Sequence, residues 1–378
     1  MRGAGALRVV IAGGGTGGHL YPGIAVAREL LSRKPDAIVT FAGTTRGIES
    51  RVVPREGFEL DVLRSAGLKG KSVTALAGGL ALLPLSGIDA WRILSRRTPH
   101  LVIGVGGYSS GPVVLAAVTR GIPTLLLEQN AVPGVTNRIL ARMVSAAAVT
   151  FESTISFFGR RGFVAGNPVR PEFVRPPNDT AEHEPRINTE EHGSGAGPPG
   201  RPKVLIFGGS QGAHAINMAM VEAAPRLAAA GGVDITHQTG ERDLDVVRRA
   251  YGNAGLAARV EPFLFAMDRE MKRADVIVCR AGATTIAEVT AAGRAAILIP
   301  LPTAADDHQR KNAEVLANAG AAELIEQQQL TGAALAGRVL ALARDPDRRT
   351  RIAAAAKRFA RPDAAKVIVD KALELAGC

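Results

Sequence analysis

Two segments of this chain open on the same pattern, and that repetition constrains the fold more than any single motif. Residues 7–12 (LRVVIA) form a mostly apolar run that passes into Gly13-Gly14-Gly15-Thr16-Gly17-Gly18-His19, and residues 203–207 (KVLIF) pass into Gly208-Gly209-Ser210-Gln211-Gly212-Ala213. Beyond each glycine loop apolar residues recur at helical spacing, as Ile24, Ala27 and Leu30 or Leu31 in the first case and as Ile216, Met220 and Val221 in the second. Each segment therefore reads as a βα unit. The first helix is expected to begin at Pro22, where a missing N–H costs nothing, and to end on Arg33 and Lys34, which complement its dipole. Further strands are expected at 38–42, 101–105, 124–127, 146–150, 276–279 and 296–300, with room for a helix between them, and a last helix at 364–376. Strands alternating with helices build parallel, doubly wound sheets. The expected fold is α/β, with two Rossmann-like domains facing across a cleft.

A chain of 378 residues with 46% hydrophobic content has enough apolar surface for two cores. Between 178 and 202 the composition turns to Pro, Gly, Glu, His and Asn without apolar periodicity, which marks a linker or surface insertion. The expected division is an N-terminal domain at 1–168, a linker with a polar insertion at 169–202, a C-terminal domain at 203–355, and a helical tail at 356–378 packing back toward the N-terminal domain.

Only Cys279 and Cys378 are present, and the opening residues lack the apolar stretch of a signal peptide, so the cytoplasm is the expected compartment. No run reaches the roughly 18 to 20 apolar residues that a spanning helix needs. The formal charge of +11 is unevenly placed: residues 1–177 carry 21 Lys and Arg against 10 Asp and Glu, whereas residues 178–378 carry 25 of each. Within the basic half, Leu68-Lys69-Gly70-Lys71 leads into the apolar stretch 73–85, followed by Trp91, Arg92, Arg96 and Arg97. Apolar surface bordered by cations suits anionic phospholipid rather than nucleic acid, each basic residue contributing about 1 kcal/mol near the surface. The other reading of this stretch is a buried helix with a solvated basic flank.

The glycine loops carry the chemistry. A loop between a strand and a helix presents unpaired N–H groups and the positive end of the helix dipole, which favour an anion. Gly13, Gly15 and Gly18 also fit the dinucleotide pattern G-x-G-x-x-G, but Phe41-Ala42-Gly43-Thr44 stands where that pattern needs an acid, and no P-loop sequence occurs. Two such loops suit a diphosphate, with Ser210 offering a hydroxyl to phosphate oxygen. In Arg280-Ala281-Gly282-Ala283-Thr284-Thr285-Ile286-Ala287-Glu288, residues 283–285 fall at a helix start, and Glu288, one turn on, is placed to accept two ribose hydroxyls or simply to complement the dipole. Asp243-Leu244-Asp245 and Asp345-Pro346-Asp347 have the spacing of a metal-binding Asp-x-Asp, yet their charged contexts away from the glycine loops read as solvated surface. His19 closes the first loop and is the candidate general base, since an imidazole titrates near neutral pH. Glu128 is its rival.

Taken in order, GGGTGGHLYPGIAVA (13–27), GVGGYSSGP (104–112), EQNAVPG (128–134), GNPVR (166–170), GGSQGA (208–213), CRAGATTIAE (279–288) and DDHQRKNA (306–313) resemble the MurG family of UDP-N-acetylglucosamine:lipid I N-acetylglucosaminyltransferases. The resemblance runs over nearly the whole chain. It implies a GT-B fold, a donor bound mainly by the C-terminal domain, and inverting, metal-independent transfer without a cofactor to the 4-hydroxyl of the muramoyl group of lipid I, giving lipid II. It further implies that Thr16, Gly17 and Gly18 contact the donor, with Tyr108 nearby, and that Asn130 and Gln309 reach its sugar. Arg170, Ser210 and Gln211 would hold the diphosphate, Leu264 would face uracil, and Ala283, Thr284, Thr285 and Glu288 would receive phosphate and ribose. Arg310 departs from the family pattern, in which an uncharged residue is usual. The implied setting is the cytoplasmic face of the bacterial inner membrane, in contact with anionic inner-leaflet phospholipid and other cell-wall synthesis enzymes. Another GT-B transferase acting on a glycolipid, a UDP-sugar epimerase and a non-catalytic UDP-sugar-binding protein are the alternative readings.

Overall fold

Strictly parallel strands dominate both halves of the chain in the computed structural model, which describes residues 6–45, 47–64, 73–174, 200–209 and 212–378. Lys69, Lys71, Ser210, Gln211 and almost all of the polar insertion lie outside the described residues. The chain divides into two units, Met1–Arg170 with Arg361–Cys378, and Pro171–Ala360.

The first unit runs β1 (Arg8–Gly13), α1 (Gly17–Arg33), β2 (Ile38–Gly43), α2 (Glu49–Arg55), β3 (Glu59–Val62), α3 (Val73–Arg97), β4 (Leu101–Gly106), α4 (Ser110–Thr119), β5 (Thr124–Glu128), α5 (Val135–Leu140), β6 (Ala146–Val149), α6 (Ile155–Phe158) and β7 (Gly162–Val164). Its sheet order is β3-β2-β1-β4-β5-β6-β7. Side chains alternate across a strand, so Val9 and Ile11 of β1 join one core with Leu20 and Ile24 of α1, while Val10 and Ala12 join another with Ile93 and Leu94 of α3 and Val113 and Val114 of α4. Being covered on both faces, β4, β5 and β6 are wholly buried, and apolar except for Thr124 and Glu128 at the ends of β5.

The second unit runs α7 (Pro171–Val174), β8 (Lys203–Phe207), α8 (His214–Ala230), β9 (Asp234–Gln238), α9 (Leu244–Asn253), β10 (Ala258–Glu261), α10 (Met267–Arg273), β11 (Val276–Cys279), α11 (Ala283–Ala292), β12 (Ala295–Leu298), α12 (His308–Asn318), β13 (Glu323–Leu324), α13 (Gly332–Arg344) and α14 (Pro346–Lys357). Its sheet order is β10-β9-β8-β11-β12-β13. Ile206, Ile216, Met220, Val278, Ile297, Leu335 and Val339 form its main core.

The last helix, α15 (Ala364–Ala376), belongs to the first unit. Ile368, Val369 and Ala372 bury themselves in the same core as α1, and Arg33 pairs with Asp370. Each buried Ile or Val contributes about 1.5–3 kcal/mol, enough to hold the helix there. Where the returning chain crosses residue 166, a Cβ on Gly166 would stand 2.3 Å from Cβ of Arg361, and φ is +88°, so glycine is required.

Two expectations need correction. The first helix begins at Gly17, not at Pro22, because the Thr16 carbonyl already accepts N–H bonds from His19 and Leu20; Pro22 lies inside the helix. The basic flank of α3 is also less free than its sequence suggests. Arg96 and Arg97 both pair with the buried Asp61, Arg97 reaches Glu59 as well, and only Arg92 of the three stands exposed without such a pairing.

In β9, burial gives His237 a titration that the sequence did not reveal. Asn217 donates its amide to the Thr239 carbonyl and to Asp243, which leaves its oxygen to accept the His237 Nε2–H at 3.1 Å, while Nδ1 accepts from the Tyr251 hydroxyl at 2.8 Å. Burial holds the imidazole neutral and pushes its pKa down to about 3. The unfolded chain binds a proton near pH 6.5 that the folded chain refuses, so the stability tied to a neutral His237 is present above that pH and is lost as pH falls toward 3. We expect His237→Gln to flatten the acid decline of the unfolding free energy by up to about 1.4 kcal/mol per pH unit in that window; an unchanged slope in urea titrations from pH 6.5 to pH 4 would contradict this.

Candidate functional site

In an open parallel sheet, ligands bind outside the C-terminal ends of the strands where the strand order reverses. That point falls between β1 and β4 in the first unit and between β8 and β11 in the second.

In the first unit the turn from β1 to α1 is backed by a carboxylate. Glu49, which is 1% exposed, accepts the Gly15 N–H on Oε2 at 2.8 Å and takes the Thr44 N–H and hydroxyl on Oε1 at 3.0 and 2.8 Å. A Cβ on Gly14 would lie 2.5 Å from that carboxyl group, and φ at Gly14 is +151°. This turn differs from the glycine loop of the second unit in what backs it. One N–H of this turn is already taken, and a carboxyl group stands directly behind it. Thr16 is exposed, Gly17 and Gly18 form the first turn of α1, and the Tyr108 phenol lies 3.6 Å from where a Cβ on Gly15 would stand.

His19, half-buried in that first helical turn, leans against β4: a Cβ on Gly106 would meet its Nδ1 at 2.8 Å. Nδ1 lies 3.2 Å from Oε1 of the buried Gln129, whose Nε2 donates to the Val105 carbonyl at 3.1 Å. Glu128, at the end of β5, is placed differently from a general base. Its Oε1 accepts the backbone and side-chain N–H groups of Asn130, and its Oε2 accepts those of Gly134 and Asn137. Burial raises its pKa and these four donors oppose the rise. With both oxygens engaged, Glu128 pins the loop that carries Asn130. Asn130 is itself buried, its carbonyl accepting from the Thr154 hydroxyl.

In the second unit Gly212 must be glycine, since its φ is +73° and a Cβ would lie 1.8 Å from the Thr239 carbonyl oxygen. Gln238, at the end of β9, ties two loops together: its Nε2 donates to the Gly209 carbonyl at 2.8 Å and its Oε1 accepts the Leu264 N–H at 2.9 Å. Leu264 is thereby held beside the glycine loop. At the head of α11 stand Ala283, Thr284 and Thr285, with the buried Glu288 one turn on. The Thr284 hydroxyl oxygen is buried and has no hydrogen-bond partner, which an incoming phosphate or hydroxyl would supply. Gln309 accepts the Leu301 N–H on Oε1 at 3.0 Å, which fixes its amide with the oxygen toward the backbone. The segment joining β12 to α12 is braced from within by Arg280, whose Nη1 donates to the carbonyls of Ile299 and Pro300; burial lowers the Arg280 pKa. Asp306 and Asp307, just before Gln309, both hold left-handed φ values of 54° and 57°, strain that recurs where loops serve a site. Arg310 is bound to Asp307, just before its own helix, and to Glu314 within it. Arg170 is exposed at the end of the first unit.

The Asp-x-Asp segments divide. Asp345 caps α14 by accepting the Arg348 N–H. Asp243 is 5% exposed, not solvated as expected, and accepts from Asn217 at 2.8 Å and from His214 at 3.0 Å. Among the described residues no group of three or more His, Cys, Asp or Glu is arranged to hold a metal ion. Reading the sequence missed Glu49, Gln129, Gln238 and Arg280. Their one visible signal is a polar residue just beyond the C-terminal end of a largely apolar strand, which Gln129 and Arg280 share.

The glycosyltransferase family 28 N-terminal domain matches residues 9–149, and the family 28 C-terminal domain matches residues 203–368. The chain is 48% identical over 375 residues to a UDP-N-acetylglucosamine--N-acetylmuramyl-(pentapeptide) pyrophosphoryl-undecaprenol N-acetylglucosamine transferase of Pelobacter propionicus, covering 97% of this chain and 99% of the relative. It is 45% identical over 371 residues to a protein of the same name from Anaeromyxobacter, covering 98% and 93%. Among solved structures it is similar to the MurG of Acinetobacter baumannii, with a TM-score of 0.78, 30% identity, and 97% and 99% coverage. The chain therefore belongs to glycosyltransferase family 28 and, within it, to the MurG family, whose two parallel-sheet domains are those of the GT-B fold.

Proposed function

We propose that this chain transfers N-acetylglucosamine from UDP-N-acetylglucosamine to the 4-hydroxyl of the N-acetylmuramoyl-pentapeptide of lipid I, inverting the anomeric configuration and producing lipid II. The observation that carries this reading is the second unit's switch point, with an unpartnered Thr284 hydroxyl and a buried Glu288 at the head of α11 and a Leu264 backbone that Gln238 holds beside the glycine loop after β8. Phosphate suits the head of a ten-residue helix. Glu288 suits a ribose diol, the Leu264 backbone the edge of uracil, and the Gln309 amide a sugar hydroxyl. Ser210, Gln211 and Arg170 are assigned to the diphosphate, and Asn130, Thr16, Gly17, Gly18 and Tyr108 to the sugar and acceptor side.

The reaction is a single displacement. The acceptor O–H gives its proton to His19 Nε2 as the oxygen attacks the anomeric carbon, the bond from that carbon to the phosphate oxygen breaks, and UDP leaves with the electron pair. Preorganised N–H and hydroxyl donors stabilise the charge that develops on the leaving diphosphate, so neither metal nor cofactor is required. Lodging a dianion beside Glu49 would cost energy. The acceptor and the transferred sugar, uncharged at the reacting atoms, suit the first-unit turn better.

The work takes place at the cytoplasmic face of the bacterial inner membrane, beside anionic phospholipid and other cell-wall enzymes. No helix among the described residues is long and apolar enough to cross a membrane. On α3, Leu85, Ile88 and Trp91 are exposed, Arg120 stacks on the Trp91 ring at 5.0 Å, and Arg92 stands beside them. Exposed apolar side chains edged by cations fit a peripheral lipid contact.

With a soluble lipid I analogue, His19→Ala is expected to lower kcat by about 10²–10⁴-fold while the UDP dissociation constant stays within about twofold; turnover near wild type would remove His19 as the base. On anionic vesicles, replacing Lys69, Lys71 and Arg92 by Gln is expected to weaken binding by about fivefold per residue. Undiminished sedimentation with the vesicles would remove this surface from the lipid contact.

A further inference from the structure

We infer that Gln129 is the positioning residue that sets the tautomer of His19, placing the ring proton on Nδ1 and the lone pair on Nε2. The catalytic consequence rests on the reading of His19 as base; the tautomer assignment itself does not.

The partners of the Gln129 amide admit one orientation of it. The Val105 carbonyl at the end of β4 can only accept. The Gln129 nitrogen must therefore face it, and does so at 3.1 Å. Turning the amide over would set oxygen against oxygen at a position that is 2% exposed, where water cannot intervene to relieve it. With the nitrogen committed to Val105, the amide oxygen is what faces the His19 ring, 3.2 Å from Nδ1. An amide oxygen has no proton to give, so Nδ1 must carry one. In the neutral ring the proton on Nδ1 leaves Nε2 as the basic nitrogen.

Two features support a positioning role over incidental contact. Gly106, with φ of +95°, has no side chain where one would collide with Nδ1 at 2.8 Å, so the backbone of β4 is shaped to let the ring approach. The nearest carboxylate in sequence, Glu128, is committed to four N–H donors elsewhere. A neutral amide orients the imidazole and accepts its N–H without adding the negative charge that would favour a resting imidazolium. The base is thus held in one orientation. During transfer the acceptor proton arrives on Nε2 while Nδ1–H stays bonded to Gln129, and the imidazolium so formed returns that proton to solvent after UDP has left.

The test is nitrogen NMR of the full chain carrying 15N-histidine, with the His19 signals identified by their loss in His19→Gln. The wild-type ring above its titration is expected to show a protonated Nδ1 and a bare Nε2. In Gln129→Leu that preference is expected to be lost and kcat to fall by about tenfold or more, part of the ~10²–10⁴-fold that a positioned base contributes, with UDP affinity unchanged. A wild-type ring protonated on Nε2 overturns the inference. So does a Gln129→Leu protein that keeps both tautomer and kcat. The wild-type spectrum needs no variant at Gln129, so misfolding of the Leu protein would not remove the test. A wild-type Nδ1–H tautomer combined with full turnover by His19→Ala would support the tautomer assignment and sink the base reading instead.

Discussion

Backbone groups at the C-terminal edge of a parallel sheet are satisfied by neither the ladder nor the following helix, and both units depend on buried side chains that take them up. Glu49 accepts Gly15 and Thr44, Glu128 accepts Asn130 and Gly134, Gln129 donates to Val105, Gln238 joins Gly209 to Leu264, and Arg280 holds Ile299 and Pro300. Each of these bonds nets only about 1 kcal/mol, but leaving one partner buried and unmatched costs about 1–3 kcal/mol, so the loops have one arrangement and keep it. A transferase needs loops that do not reorganise when charge develops.

The same bonds distribute charge. In the first unit a carboxyl group backs the glycine turn and a neutral amide backs the histidine. In the second, the head of α11 keeps a hydroxyl oxygen without a partner, and Gln238 keeps Leu264 beside the glycine loop. The two glycine turns look alike in sequence because both must let backbone pass close to something. What passes close differs: the Glu49 carboxyl at Gly14, and the Thr239 carbonyl at Gly212.

The α/β class and the central strands were legible because β1, β4, β5, β6, β8, β11 and β12 are buried on both faces and are therefore apolar almost throughout. The strands β3 (ELDV), β9 (DITHQ) and β10 (ARVE) were not, since strands at or near a sheet edge carry polar residues and lose the continuous run. The loops that matter could be found by their glycines. The side chains that shape them could not, because Glu49 acts across 34 residues of sequence and Gln129 across 110. Arg96 and Asp243 show the same limit from the other side: each reads as solvated charge, and each is bound to a partner from a distant segment.

The seat of the diphosphate decides between the two glycine turns, and a crystal structure of the chain with UDP tests it most directly. The diphosphate is expected between the heads of α8 and α11 with the ribose hydroxyls on Glu288. A diphosphate seated on the turn at 13–18, beside the Glu49 carboxylate, would contradict it.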